Sequence, residues 1–147
     1  MKLSTRSRYG ARMMVDLAQH YDQGPVQIRD IARRQDISVK YLEQLIIPLK
    51  KAGLIASVRG AKGGHLLSKP PGKITAADIV RVLEHDHGLV PCLENPELCQ
   101  RVAICPTRNL WIMATRALYD HLNSVTLAEL VESSSEHQVE KDIVHVF

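Results

Sequence analysis

The sequence predicts a mainly α fold: a winged helix-turn-helix domain with a two-stranded wing, followed by a long C-terminal helix. Three observations carry this. Two short segments with apolar residues at helical spacing, at residues 28–32 and 41–49, are joined by the tight polar turn "QDIS". The stretch "LIASVRGAKGGHLLSK" then holds two short apolar runs around a glycine-rich loop. Between Leu110 and Leu122 a further apolar stripe recurs at helical spacing.

Ser4 or Thr5 is a good N-cap, and Gly10, Met13, Met14, Leu17, Ala18 and Tyr21 follow at the helical period, giving a first helix with one apolar stripe. Gly24 and Pro25 in "DQGP" end it. A short second helix lies around Ile28, Ile31 and Ala32, with Arg29, Arg33 and Arg34 on its other sides. Ser38 is placed to cap a third helix. Its core face is Tyr41, Leu42, Leu45, Ile46 and Leu49; its exposed side carries Val39, Lys40, Glu43, Gln44 and Ile47. Pro48 lacks the amide that would bond to Gln44, so a kink is expected near Ile47. Past Gly53 comes the hairpin, whose loop carries Arg59 and Lys62.

Thr75 caps a fourth helix, with Asp78 three residues on and Ile79, Val82 and Leu83 on the buried side. Pro91, Pro96 and Pro106 keep residues 86–106 irregular. After Thr107 a long helix places Leu110, Ala114, Ala117, Leu118, His121 and Leu122 in one stripe with Trp111 beside it. A small domain has too little chain to cover such a stripe, which predicts a partner helix from a second subunit. "TLAELVE" from Thr126 makes a short last helix, and the polar stretch beginning "SSSEH" is expected to be a flexible tail. The expected organisation is a DNA-binding domain over residues 1–85, a cysteine-containing loop over 86–106, a dimerisation helix with the short terminal helix over 107–132, and the tail over 133–147.

A chain of 147 residues with 45% hydrophobic content supports one good core and excludes two separate large domains. No apolar run approaches the roughly 18 residues of a membrane span, and "MKLSTRSRYG" lacks a stretch of signal type, so a cytoplasmic protein without membrane partners is expected. The net charge of +3 divides unevenly: residues 1–73 hold 14 Lys and Arg against 5 Asp and Glu, and residues 74–147 hold 5 against 11. A basic front half is the footprint of a module that meets a polyanion, here double-stranded DNA. The wing loop has neither a Walker pattern nor GxGxxG spacing, which disfavours a nucleotide cradle.

The N-terminal part of the third helix is expected in the major groove, where Gln44 can pair with adenine, Glu43 can accept from the cytosine amino group, and Lys40 can reach guanine or phosphate. A carboxylate facing phosphates lowers affinity, so Glu43 makes sense chiefly as a filter against sites that lack a donor. Arg59 suits a narrow minor groove. Ser38, Tyr41 and Lys62 complete the expected DNA-contacting set.

All three cysteines lie in "CLENPELCQRVAICPTR", with six residues between Cys92 and Cys99 and five between Cys99 and Cys105. Their odd number and clustering argue against a disulfide framework. An iron-sulfur cluster, a redox-active thiol sensor and structural zinc are the open readings; zinc ranks last because none of the spacings is CxxC. A small thiol enzyme would need a positioned base, for which only His85 and His87 offer themselves, and no nucleophile motif is present.

"MKLSTRSRYGARMMVDLA", "ISVKYLEQLIIPLKKAGLIASVRGAKGGHLLSKPPGKITAADIV" and the three cysteines resemble the IscR-like regulators of the Rrf-two family of winged-helix transcription factors, over about residues 1–132. The resemblance implies a homodimeric transcriptional regulator, such as a repressor, on palindromic DNA. It also implies an iron-sulfur cluster that sets DNA affinity, 2Fe-2S first and 4Fe-4S as the alternative, and control of cluster-biogenesis genes. Recognition-helix and wing roles fall on Glu43, Gln44 and Arg59, while Lys40 stands where some relatives have a small polar residue. The ligands would be Cys92, Cys99 and Cys105.

The histidine that the IscR-like pattern places three residues after the third cysteine is Arg108 here, and a guanidinium has no lone pair to give. The nitric-oxide-sensing branch takes an acidic ligand from the first helix of the other subunit, where this chain has Arg8 and Arg12. His87 is then the candidate fourth ligand, with His85, Glu94 and Glu97 nearby, or one iron stays open. His121 is about four helical turns past Cys105, roughly 20 Å along the axis, and His137 and His145 lie in the tail.

Overall fold

The computed structural model describes residues 2–85 and 88–144, with side chains described through residue 136. Six helices and one hairpin follow in the order α1 (Thr5–Gln19), α2 (Ile28–Gln35), α3 (Val39–Lys51), β1 (Ile55–Val58), β2 (Gly64–Leu67), α4 (Ala76–Leu83), α5 (Arg108–Ser124) and α6 (Leu127–Val144). Ser4 caps α1 by accepting from the Ser7 amide, and Gly10, Met13, Met14, Leu17 and Ala18 are buried as the periodicity requires. The helix stops at Gln19, and a 3-10 turn over Tyr21–Gln23 leads to Gly24 at φ 82°, so Tyr21 packs beside the core from outside the helix. At Gly10 a Cβ would collide with the Leu83 side chain, and its absence lets α1 and α4 approach closely.

The core joins α1, α3 and α4 with the inner residues of the wing and with Leu127 at the start of α6. Asp36, in the left-handed region at φ 52°, closes α2, and the Ile37 amide reaches back to the Ala32 carbonyl. α3 runs unbroken through Pro48: one missing bond to Gln44 does not end a helix whose Leu42, Leu45, Ile46 and Leu49 are all buried. Tyr41, expected in the core, is half-buried and meets Tyr9 edge-on at 5.8 Å between ring centroids. α4 carries the capping box of Thr75 and Asp78 and buries Ala77 and Val80 besides Ile79 and Leu83, leaving Val82 half-buried.

The last helix differs from the sequence expectation. It was expected to give way to a tail after Glu132, yet α6 continues to Val144. The serines that read as a break are accommodated inside the helix: the Ser133 hydroxyl donates to the Glu129 carbonyl, and those of Ser134 and Ser135 donate to Val131. Gln19 of α1 donates to the Ser134 hydroxyl at 3.1 Å, and backbone bonds from Ala76 to Val125 and from Leu127 to Ile74 pin the start of α6 to the domain. His137 and His145 lie outside the described side chains.

Candidate DNA interface and cysteine loop

α3 presents Lys40, Glu43, Gln44 and Ile47, all exposed and at i, i+3, i+4 and i+7 on one stripe. Ser38 caps the helix by accepting from the Tyr41 amide at 3.2 Å. The wing is an antiparallel pair in which Ile55 faces Leu67 and Val58 faces Gly64. Arg59 and Lys62 project from its exposed loop, and no ion pair among the described residues engages either. Gly60, at φ 110°, supplies the left-handed residue of the tip, where the Gly63 amide bonds back to the Gly60 carbonyl.

Two attachments that the sequence reading missed hold this surface in place. Val26 and His65 exchange backbone bonds of 2.8 Å in an isolated antiparallel bridge that ties the segment before α2 to the wing, and the Gln27 amide group donates to the Ala61 carbonyl. Burial, aided by Lys50, lowers the His65 pKa and keeps the ring neutral for its Nδ1 contact with Ser57 at 3.0 Å. The second attachment is Asp16, fully buried on α1, which accepts from Arg34 Nε at 2.9 Å, Arg34 Nη2 at 2.7 Å and Gln35 Nε2 at 2.9 Å. Arg12 donates in turn to the Gln35 carbonyl. α2 is thereby fixed against α1, and the turn after it aims α3. Asp16 sits within the apolar stripe between Met13 and Leu17, and that position was the available signal.

The cysteine loop leaves the end of α4, where Glu84 accepts from the Ser4 amide at 2.9 Å and the Ser4 hydroxyl at 2.8 Å. Two proline-started 3-10 turns, Pro91–Leu93 and Pro96–Leu98, place Cys92 inside the first and Cys99 just after the second. All three thiols are free and half-buried. The Thr107 hydroxyl 3.4 Å from Cys105 Sγ lowers that thiol's pKa, helped by the Thr107 and Arg108 amides and by Arg101. Arg108 donates to the Cys92 carbonyl at 2.7 Å, tying the loop to the start of α5.

In kind and exposure these donors suit iron-sulfur ligation, since all are free thiols on one loop. Among the described residues, however, no three His, Cys, Asp or Glu side chains are gathered closely enough to hold a metal ion. His85 faces Arg6 at 3.3 Å, Glu94 accepts from the Gly88 amide at 2.6 Å, and His87 lies outside the described residues.

α5 packs on α4 and the loop through one side. Thr115 accepts from the Leu89 amide, Arg81 lies 4.9 Å from the Tyr119 ring centroid, and Arg81 donates to Asn123. No residue of this helix is buried. Leu110, Ala117 and His121 are exposed, Ala114, Leu118 and Leu122 are half-buried, and Trp111, Ile112 and Met113 add exposed apolar surface that the sequence reading did not include in full.

A helix-turn-helix braced by a long first helix and followed at once by a basic two-stranded wing defines the class: a winged-helix DNA-binding regulator. Residues 3–133 match the family described as Rrf2, iron-dependent transcriptional regulator. The chain is 50% identical over 135 residues to "Protein rrf2" of Nitratidesulfovibrio vulgaris, covering 92% of this chain and 90% of that one. It is 41% identical to the HTH-type transcriptional regulator CymR of Bacillus subtilis, over 94% of this chain and 95% of that one. The solved structure of T. potens IscR superimposes with a TM-score of 0.78 at 40% identity, covering 94% of this chain and 91% of that one. The chain belongs to the Rrf2 family and is a DNA-binding transcriptional regulator rather than an enzyme. Among the described residues no helix is long and apolar enough to cross a membrane.

Proposed function

We propose that this protein is a homodimeric cytoplasmic regulator that binds a palindromic operator and whose affinity or site choice is set by an iron-sulfur cluster on Cys92, Cys99 and Cys105. The observation that carries the reading is the position of the cysteine loop between the DNA-binding domain and the uncovered helix α5. Anything that orders this loop differently in two arrangements of the dimer shifts the spacing of the two α3 helices. When bound, the cluster supplies a redox- and oxygen-labile group that reports cellular iron-sulfur status. The chain's own part is to offer the three thiols, to hold Cys92 to α5 through Arg108, and to lower the pKa of Cys105 through the hydroxyl and amide of Thr107. The likeness to IscR supports the reading that its targets are iron-sulfur cluster biogenesis genes.

Anaerobically purified protein should be brown, with visible charge-transfer bands and iron and sulfide in near-equal amounts. Single Cys92→Ala, Cys99→Ala and Cys105→Ala variants should lose the colour yet stay folded and dimeric, because the core does not use the loop. Arg108→His should prolong the life of the colour in air by offering an imidazole in place of the guanidinium. A colourless protein that takes up no iron under reconstitution overturns the cluster reading.

A second reading, a thiol-redox or small-molecule regulator without a cluster, is favoured by the ungathered ligands and by the lowered pKa of Cys105. It requires that Cys105 react first with an alkylating reagent at neutral pH.

On the DNA side, Arg59→Ala should reduce the log-log salt slope of operator binding by about 0.9, the value of one lost phosphate contact. The loss should be greatest on sites with A·T-rich flanks, where the minor groove is narrow. Equal loss on every flank, read by fluorescence anisotropy across salt, would remove the minor-groove role.

A further inference from the structure

We propose that Ile47 is a base-reading residue whose side chain seats against the 5-methyl group of a thymine in the major groove. This rests on the reading of α3 as the recognition helix. Ile47 is 68% exposed, while its neighbours Leu45 and Ile46 are buried, so it points away from the core. It completes the stripe of Lys40, Glu43 and Gln44 one turn beyond the last two, on the side of α3 that carries the base-reading chemistry.

The other exposed large hydrophobics among the described residues are Leu3, Leu98, Ile104, the run from Leu110 to Met113, and Val58 beside Arg59. None of them lies on α3, and none lines the shallow groove that Ile47 shares with Tyr41, Leu45 and Pro48. The shallow groove beside it has Pro48 and Tyr41 in its wall and Arg6 and Lys51 at its edges, two cations suited to flanking phosphates.

An isoleucine side chain neither donates nor accepts hydrogen bonds. On the major-groove edge of unmodified DNA, the thymine methyl is the one apolar feature it can distinguish. Gln44, three residues earlier, has the amide that pairs with adenine, so the two side chains together prefer adjacent A·T pairs.

The test begins with a duplex selected from a random pool by the full-length protein, in which each thymine is replaced singly by deoxyuridine. For the unmodified protein, one position in each half-site should lose about fourfold in affinity, the scale of removing one methyl group from an apolar contact. Ile47→Ala should bind with no further loss at that position while keeping its sensitivity elsewhere, and Ile47→Val, which retains branched methyls, should stay sensitive. Glu43→Ala and Gln44→Ala are carried through the same selection. If either changes the selected motif but no uracil effect depends on residue 47, the role of Ile47 is overturned while α3 remains the reading helix. If neither changes the motif, the reading of α3 fails and this inference fails with it.

Discussion

Arg34→Met is expected to destabilise the protein by about 3 kcal/mol, the lower end of the range for breaking a buried ion pair. Asp16 is fully buried and takes two of its three side-chain hydrogen bonds from Arg34. Removing the guanidinium leaves a carboxylate that keeps only Gln35 and the weak contact to His20 at 3.7 Å. The Arg34 side chain is 33% exposed, so water can reach part of the vacated space and the upper end of the range is not expected. For a chain of this size the loss corresponds to about 10 °C in melting temperature. Asp16→Asn in the Arg34→Met background should recover part of the loss. A melting temperature within about 2 °C of the parent's would show that the pair is no more than a surface bridge.

The contrast between this network and the rest of the domain shows what the sequence could carry. The faces of α1, α3 and α4 were legible because burial follows the helical period, and the wing because glycines punctuate two apolar runs. The place of Asp16 within the apolar stripe of α1 hinted at burial, but its partner was not legible, since Arg34 lies 18 residues away and only the crossing of α1 and α2 brings them together. α6 was read too short for a local reason. Serines are neutral to unfavourable within helices, yet here their hydroxyls close onto carbonyls of the preceding turn.

The cysteine loop divides in the same way. Its three cysteines stand in the sequence, as does Arg108 at the place where the resemblance to IscR-like regulators implies a histidine. The arrangement of the donors depends on two proline turns and on the Arg108 bond to Cys92, which no spacing rule contains. The exposed stripe of α3 was legible as a pattern of side chains, whereas its orientation depends on Asp16 and on the Val26–His65 bridge, both tertiary.

Leu110→Glu combined with Ala117→Glu is expected to yield a monomer whose operator affinity falls by about 100-fold or more, because two linked half-site contacts become one. One side of α5 is occupied: Thr115, Tyr119 and Asn123 hold it to α4 and the loop. The remaining surface includes Leu110, Met113, Ala117 and His121, with Leu110 57% and Met113 54% exposed. Large apolar side chains left in water across successive turns forfeit about 1.5 to 3 kcal/mol each relative to full burial. In the proposed dimer, the exposed Ala117 would let the backbone of a second copy approach closely. Two glutamates on this stripe would place carboxylates opposite one another across a two-fold axis, with desolvation and like-charge repulsion both opposing association. The fold of each protomer should survive, since neither residue contributes to the core. Sedimentation velocity should show one-chain mass with unchanged helical circular dichroism, and anisotropy on a full palindrome should match that on a single half-site. A dimer that persists would place the interface elsewhere, and a monomer with full operator affinity would dissolve the link between α5 pairing and DNA recognition.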